Sequence, residues 1–224
     1  MVSARYSELE NRIKELKRLL LPSKFDPTGS YKDPLRVTTR ALSFRVLAHA
    51  EVETYLEDRA LEIATTALKS WKDSKFVSVV TFHLLGFGGV ETSRPPQTLA
   101  APDAQKAKDW PSKVAIDDRL TRCVSGFYYR VSKENHGIKE QNIVDMLIPL
   151  GFDMSLCDPL FMQNMSNFGE ARGAVAHTSG MAHIKKAIDP KDEYSTLHGI
   201  LQGLRPIDGE FDRLLRAALP PTAG

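Results

Sequence analysis

Leu42-Ser43-Phe44-Arg45-Val46-Leu47-Ala48-His49-Ala50-Glu51-Val52-Glu53-Thr54-Tyr55-Leu56 is the stretch on which the fold turns. It lies in a run from Arg36 to Trp71 that contains neither proline nor glycine. Within that run Leu42, Val46, His49, Glu53, Leu56, Ala60, Ile63 and Ala67 advance by alternating fours and threes. At 3.6 residues per turn this spacing gathers them into one stripe, whereas a strand requires alternation by two. One long helix is therefore expected over 36–71, with two polar residues on an otherwise apolar stripe. Burying His49 and Glu53 costs free energy unless they are paired, and at i and i+4 they can reach each other. They are expected either as a structural hydrogen-bonded pair or as support behind a functional site.

Helical periodicity continues on both sides of this run. Toward the N-terminus, Leu9, Ile13, Leu16, Leu19 and Leu20 fall at helical spacing among charged residues until Pro22 ends the pattern. That predicts an amphipathic helix over 4–21, whose apolar face covers the domain or meets a second chain. Residues 22–34 carry Asp, Pro, Thr, Gly and Ser and read as a linker loop. Toward the C-terminus, the apolar stretch Phe76 to Leu85 is expected as a short helix that collapses into Gly86-Phe87-Gly88-Gly89. Residues 86–111 read as a long loop, functional or mobile. Leu120, Cys123, Val124, Phe127, Tyr128 and Val131 mark a helix closed by Gly137, and Ile143, Met146, Leu147 and Leu150 mark another closed by Gly151. Asp158-Pro159 supplies an N-cap and a first-turn proline for a helix running to His177. The last helical region, 192–219, is expected to break at Pro206. With strand signals scarce, the fold class is all-α: a helical bundle over 36–224 preceded by an N-terminal helix and linker over 1–35.

Composition narrows the functional classes. Apolar content of 42% and charged content of 26% over 224 residues are ordinary for a globular chain, and no apolar run approaches the length of a membrane span. The N-terminal residues lack the apolar core of a signal peptide, so a cytoplasmic location without membrane attachment is expected. Cys123 and Cys157 show neither CxxC nor Cys/His ligand spacing, which argues against a zinc site and a disulfide framework. No metal or other cofactor is expected. A formal net charge of +2 is too small for a general basic coat, so any nucleic-acid contact is expected to be local.

The residues that suggest chemistry are in Phe168-Gly169-Glu170-Ala171-Arg172-Gly173-Ala174-Val175-Ala176-His177-Thr178-Ser179-Gly180. Guanidinium binds phosphate oxygens bidentately at any working pH, and imidazole takes and gives protons near neutrality. Arg172 and His177 thus suit phosphodiester chemistry. Spacing alone does not single them out, since roughly one Arg-x4–6-His match is expected by accident in such a chain. Arg130 and His136 form a second match, at what reads as a solvated helix terminus. The structural alternative for the first match is that Arg172 pairs with Glu170 or Asp158 while His177 bonds the free carbonyls of its helix end.

Ala171-Arg172-Gly173-Ala174-Val175-Ala176-His177-Thr178 resembles the Arg-x4–6-His signature of the HEPN superfamily, closest to the RiboL-PSP-HEPN type of domain. Further blocks resemble that family: the helix Ala48 to Glu57, then His136-Gly137-Ile138-Lys139 with Asn142-Ile143 and Leu150-Gly151, and Asp189 to Tyr194 with the helix after it. The resemblance spans residues 36–218. It implies a helical bundle that pairs about a two-fold axis, with Arg172 and His177 of both chains in one cleft. It also implies metal-independent RNA cleavage, in a toxin or defence effector restrained by an antitoxin protein. His49, Glu53, Glu51 and Thr178 are the candidates for the layer behind the catalytic pair. Many catalytic members carry Asn or another polar residue directly after the Arg, where this chain has Gly173. A noncatalytic module of the same type, binding RNA or dimerising, is the alternative.

Overall fold

The computed structural model describes residues 2–88, 96, 98, 100, 108–177 and 188–221. Among them the chain is all-α, with no strand. Helices α1 (Ala4–Leu20), α2 (Pro34–Ser74) and α3 (Val79–Phe87) precede α4 (Pro111–Val114) and α5 (Ile116–Tyr129). They are followed by α6 (Glu140–Leu147), α7 (Pro159–His177) and α8 (Pro190–Ala217). A π turn, Arg130–Glu134, extends α5, and short 3₁₀ turns occupy Ile148–Leu150 and Met154–Leu156.

Most of these helices start where side chains satisfy their free N–H groups. Ser3 accepts from the Tyr6 N–H to cap α1, and Asp33 accepts from the Arg36 N–H at the start of α2. Ser78 caps α3 through the Thr81 N–H, and Asp158 accepts from both Leu160 and Phe161 N–H at the start of α7. Asp189, before Pro190, does the same for α8 through the Lys191 N–H. One expectation is corrected. α8 runs without interruption from Pro190 to Ala217, with Pro206 inside it. Pro206 and Gln202, whose carbonyl loses its partner, both face solvent, while Ile200, Leu204, Ile207, Phe211 and Leu214 are buried. Water can therefore serve that carbonyl, and burial of the stripe offsets the lost hydrogen bond.

The chain divides into two compact units, and the division runs through helices rather than through a linker. Unit 1 comprises Met1–Leu56, Gly137–Ile143 and Ser155–Gly209. It thus takes α1, the N-terminal part of α2, α7 and most of α8. Its interior holds Tyr6, Ile13, Phe44, Met165, Phe168, Leu197 and Leu204. The apolar face of α1 is packed inside this unit, burying Tyr6, Leu9, Ile13 and Leu16. The buried carboxylate of Asp208 on α8 fixes its end, accepting from Ser3 N at 2.7 Å, Ser3 Oγ at 2.6 Å and Tyr55 Oη at 2.8 Å. Tyr6 Oη donates to the Leu201 carbonyl, and its ring meets Tyr55 edge-on at 6.1 Å.

Unit 2 comprises Glu57–His136, Val144–Met154 and Glu210–Gly224. Within it α3 packs on α5 and on the 148–150 turn, around Ile63, Leu84, Leu120, Phe127 and Phe211. Gly151 closes that turn at φ 77°, and a Cβ there would lie 2.6 Å from the His83 ring, so both backbone and space call for glycine. Arg59, only 2% exposed, bonds Asp212 and Glu62 and lies over the Phe211 ring.

Candidate functional site

The helix that carries Arg172 is held on α2 at three successive levels within unit 1. Phe168 sets its ring 5.9 Å from that of His49. One residue on, a Cβ on Gly169 would lie 3.1 Å from Lys139 Cγ and 3.8 Å from His49 Nε2, so glycine permits the close approach. The Ala171 carbonyl then accepts from Arg45 Nη1 at 3.4 Å. Arg45 is itself fixed by a two-pronged pair with Glu193 on α8, through Nε at 2.8 Å and through Nη2. Both side chains of this pair are largely buried, and a guanidinium held bidentately at such a site keeps its geometry better than a lysine would. Arg45 and Glu193 thus determine where the turn bearing Arg172 sits.

Arg172 is half-buried and makes no ion pair or side-chain hydrogen bond with a described residue. The carboxylates that might have neutralised it are engaged elsewhere. Glu170 faces Lys139 at 3.7 Å, and Asp158 caps the start of its own helix. A half-exposed guanidinium without a partner among the described residues is able to take an external anion. Gly173, next in sequence, has no described atom within 4 Å of where a Cβ would be. The α7 backbone is helical through His177, which places that residue about 140° around the axis from Arg172. The His177 side chain and Thr178 lie outside the described residues, as does His183.

His49 and Glu53 do lie together, but not as the expected hydrogen-bonded pair. His49 Nδ1 stands 3.5 Å from Glu53 Oε2, an ion pair only when the imidazole is protonated. The ring is 1% exposed, and Nδ1 has no hydrogen-bond partner among the described residues. At 3.5 Å the contact is longer than an ordinary hydrogen bond, which leaves one buried polar atom beneath α7 without a partner among the described residues. Glu51 lies elsewhere on α2, about 200° around the axis from His49, and pairs with Arg12 of α1 at 2.9 Å. It serves the α1 contact. The sequence reading missed Arg45 and Glu193. Only the burial of a charge beside the Leu42–Val46 stripe could have flagged Arg45, and nothing local identified its partner.

The second Arg-x4–6-His match is not built into a comparable site. Arg130 begins the π turn after α5 and His136 is exposed. No group of three or more His, Cys, Asp or Glu among the described residues is arranged to hold a metal ion. No helix among them is long and apolar enough to cross a membrane. Comparison with family models, curated proteins and solved structures finds no match to this chain.

Proposed function

We propose that this protein is a HEPN-type, metal-independent endoribonuclease whose site is completed by a second copy of the chain. The observation that carries the reading is the state of Arg172: a guanidinium without a described partner, on a helix turn pinned to α2 by Arg45 and Gly169. The placement of the resembling segments also supports it. Most of the Ala48–Glu57 helix, residues 137–143, the Arg172 helix and residues 189–194 belong to the same unit, although more than a hundred positions separate the first from the last, while His136 and Leu150-Gly151 belong to the other.

In this mechanism a base takes the proton of an RNA 2′-hydroxyl, and that oxygen attacks the adjacent phosphorus. The bond to the 5′-oxygen breaks as an acid protonates it, leaving a 2′,3′-cyclic phosphate and a 5′-hydroxyl. Arg172 balances charge on the nonbridging oxygens, a role for which one preorganised donor contributes about 3 kcal/mol. His177, at a helix C-terminus where the dipole favours imidazolium, carries protons. Such an activity requires restraint in its own cell, which fits a toxin held by a protein antitoxin. The noncatalytic reading draws on Gly173, which offers no donor beside the phosphate site.

The test is cleavage of single-stranded RNA in excess EDTA. His177→Ala should abolish it, and Arg172→Ala should be nearly as severe. Arg172→Lys should not restore it, because an ammonium cannot make the bidentate contact. Retention of wild-type cleavage by His177→Ala, or activity only with added divalent metal, would leave the noncatalytic reading in its place.

A further inference from the structure

A groove of about 210 Å³ lies between α1 and α8 within unit 1. Its α8 wall is a row of flat side chains at i, i+4 and i+8. Tyr194 stacks on His198 at 6.1 Å and 22°, and His198 Nε2 contacts Gln202 Nε2 at 3.2 Å. His198 and Gln202 are exposed. Its rim is cationic from both helices: Lys14 on α1 and Arg205 on α8, with Lys17 Nζ 4.0 Å over the Tyr194 ring. Glu10 is the groove's acidic residue, and it is already engaged by Arg205 at 3.4 Å.

We propose that this groove is a subsite that stacks an unpaired base of a single-stranded RNA, with Lys14 and Lys17 facing its phosphates. This rests on the nuclease reading for the identity of the strand. Size favours one flat ring, because the volume is below the roughly 300–1,000 Å³ of sites for whole small-molecule ligands. Chemistry favours a base. An imidazole face, an amide and flanking cations are the combination by which proteins hold single strands without demanding a sequence. Position favours the same strand. Tyr194 directly follows Glu193, whose carboxylate holds Arg45, and Arg45 in turn holds the Ala171 carbonyl beside Arg172. The clamp and the groove thus share the first turn of α8.

The experiment is fluorescence anisotropy with a labelled 2′-O-methyl RNA oligomer, which lacks the attacking hydroxyl and so is not consumed. His198→Ala should weaken binding about five- to a hundredfold, the range for loss of one stacked base. His198→Phe should keep the affinity by keeping a flat face. A sugar-phosphate oligomer without bases should bind wild type more weakly, and should bind His198→Ala no worse than wild type. Unchanged affinity in His198→Ala, or an equal loss on the baseless oligomer, overturns the proposal, as does preference for a duplex or an acidic peptide. Cleavage of ordinary RNA in EDTA is read in parallel. If His198 governs binding while nothing is cleaved, the nuclease reading alone falls. If RNA is cleaved and His198→Ala changes neither affinity nor rate, the groove proposal alone falls.

Discussion

At the scale of single residues, the position after Arg172 offers a test in the direction of gained function. Gly173 is helical, and a Cβ there meets no described atom within 4 Å, so a larger side chain fits without displacing a neighbour. Asn is also a better helix former than glycine, by a few tenths of a kcal/mol. Gly173→Asn should therefore leave the melting temperature unchanged or slightly higher. It should also raise RNA cleavage several-fold by adding an amide donor beside the phosphate held by Arg172. A melting curve and a single-turnover cleavage assay check the two parts. A fall in both would show that the space is occupied in solution, and a stable variant with unchanged cleavage would remove the phosphate from this position. Arg172 is legible in the sequence as chemistry, and Asp158 as a helix cap, but the freedom of Arg172 from Glu170 is not. That depends on Lys139, contributed by another segment.

At the scale of elements, α3 contains a paired test of glycine. A Cβ on Gly88 would lie 2.5 Å from the Leu84 carbonyl and 2.8 Å from Cys123 Sγ, backbone and buried core that cannot easily yield. Gly86, two residues earlier, has no described atom within 4 Å of its Cβ position. Gly88→Ala should destabilise by about 1–3 kcal/mol through overpacking, while Gly86→Ala should stabilise by about 0.5–1 kcal/mol by reducing unfolded-state freedom. Urea midpoints of the two variants on opposite sides of wild type would bear this out, and a shared direction would not. Elements whose starts are set locally are readable from sequence: α1, α2 and α7 begin close to where caps and prolines place them. Features set by distant partners were not. Pro206 was read as a break because the burial that carries α8 past it is tertiary. Nothing local singles out Arg45 and Arg59, because their partners Glu193 and Asp212 lie about 150 positions away. The division into two units left no compositional mark, because it cuts through α2 and α8 rather than through a linker.

At the scale of the whole molecule, pH and subunit exchange probe different things. Burial pushes the Tyr6 phenol above its usual value of 10.0 and the Cys123 thiol above 9.0, so the folded chain holds both protons more tightly than the unfolded one. The stability they contribute is complete below those unfolded values and is lost as pH rises through the folded ones. Unfolding free energy should therefore decline from about pH 9 upward. Tyr6→Phe should flatten the upper part of that decline while costing about 1 kcal/mol at neutral pH for the bond to Leu201. An equally steep alkaline limb in Tyr6→Phe would assign the decline elsewhere. The dimer prediction follows from helix geometry. Because Arg172 and His177 lie about 140° apart around one helix, the proposed site calls on a two-fold partner to bring the complement to one phosphate. If both copies of His177 act at a shared site, one as acid and one as base, a dimer with one altered chain is inactive. Equal amounts of wild-type and His177→Ala chains, allowed to exchange, then give about one quarter wild-type pairs. Cleavage per total protein should fall to about that fraction of the unmixed wild-type value, and light scattering should show the dimer mass throughout. A value near one half would mean that one His177 suffices at each site, and the shared acid–base pair of histidines would have to be abandoned.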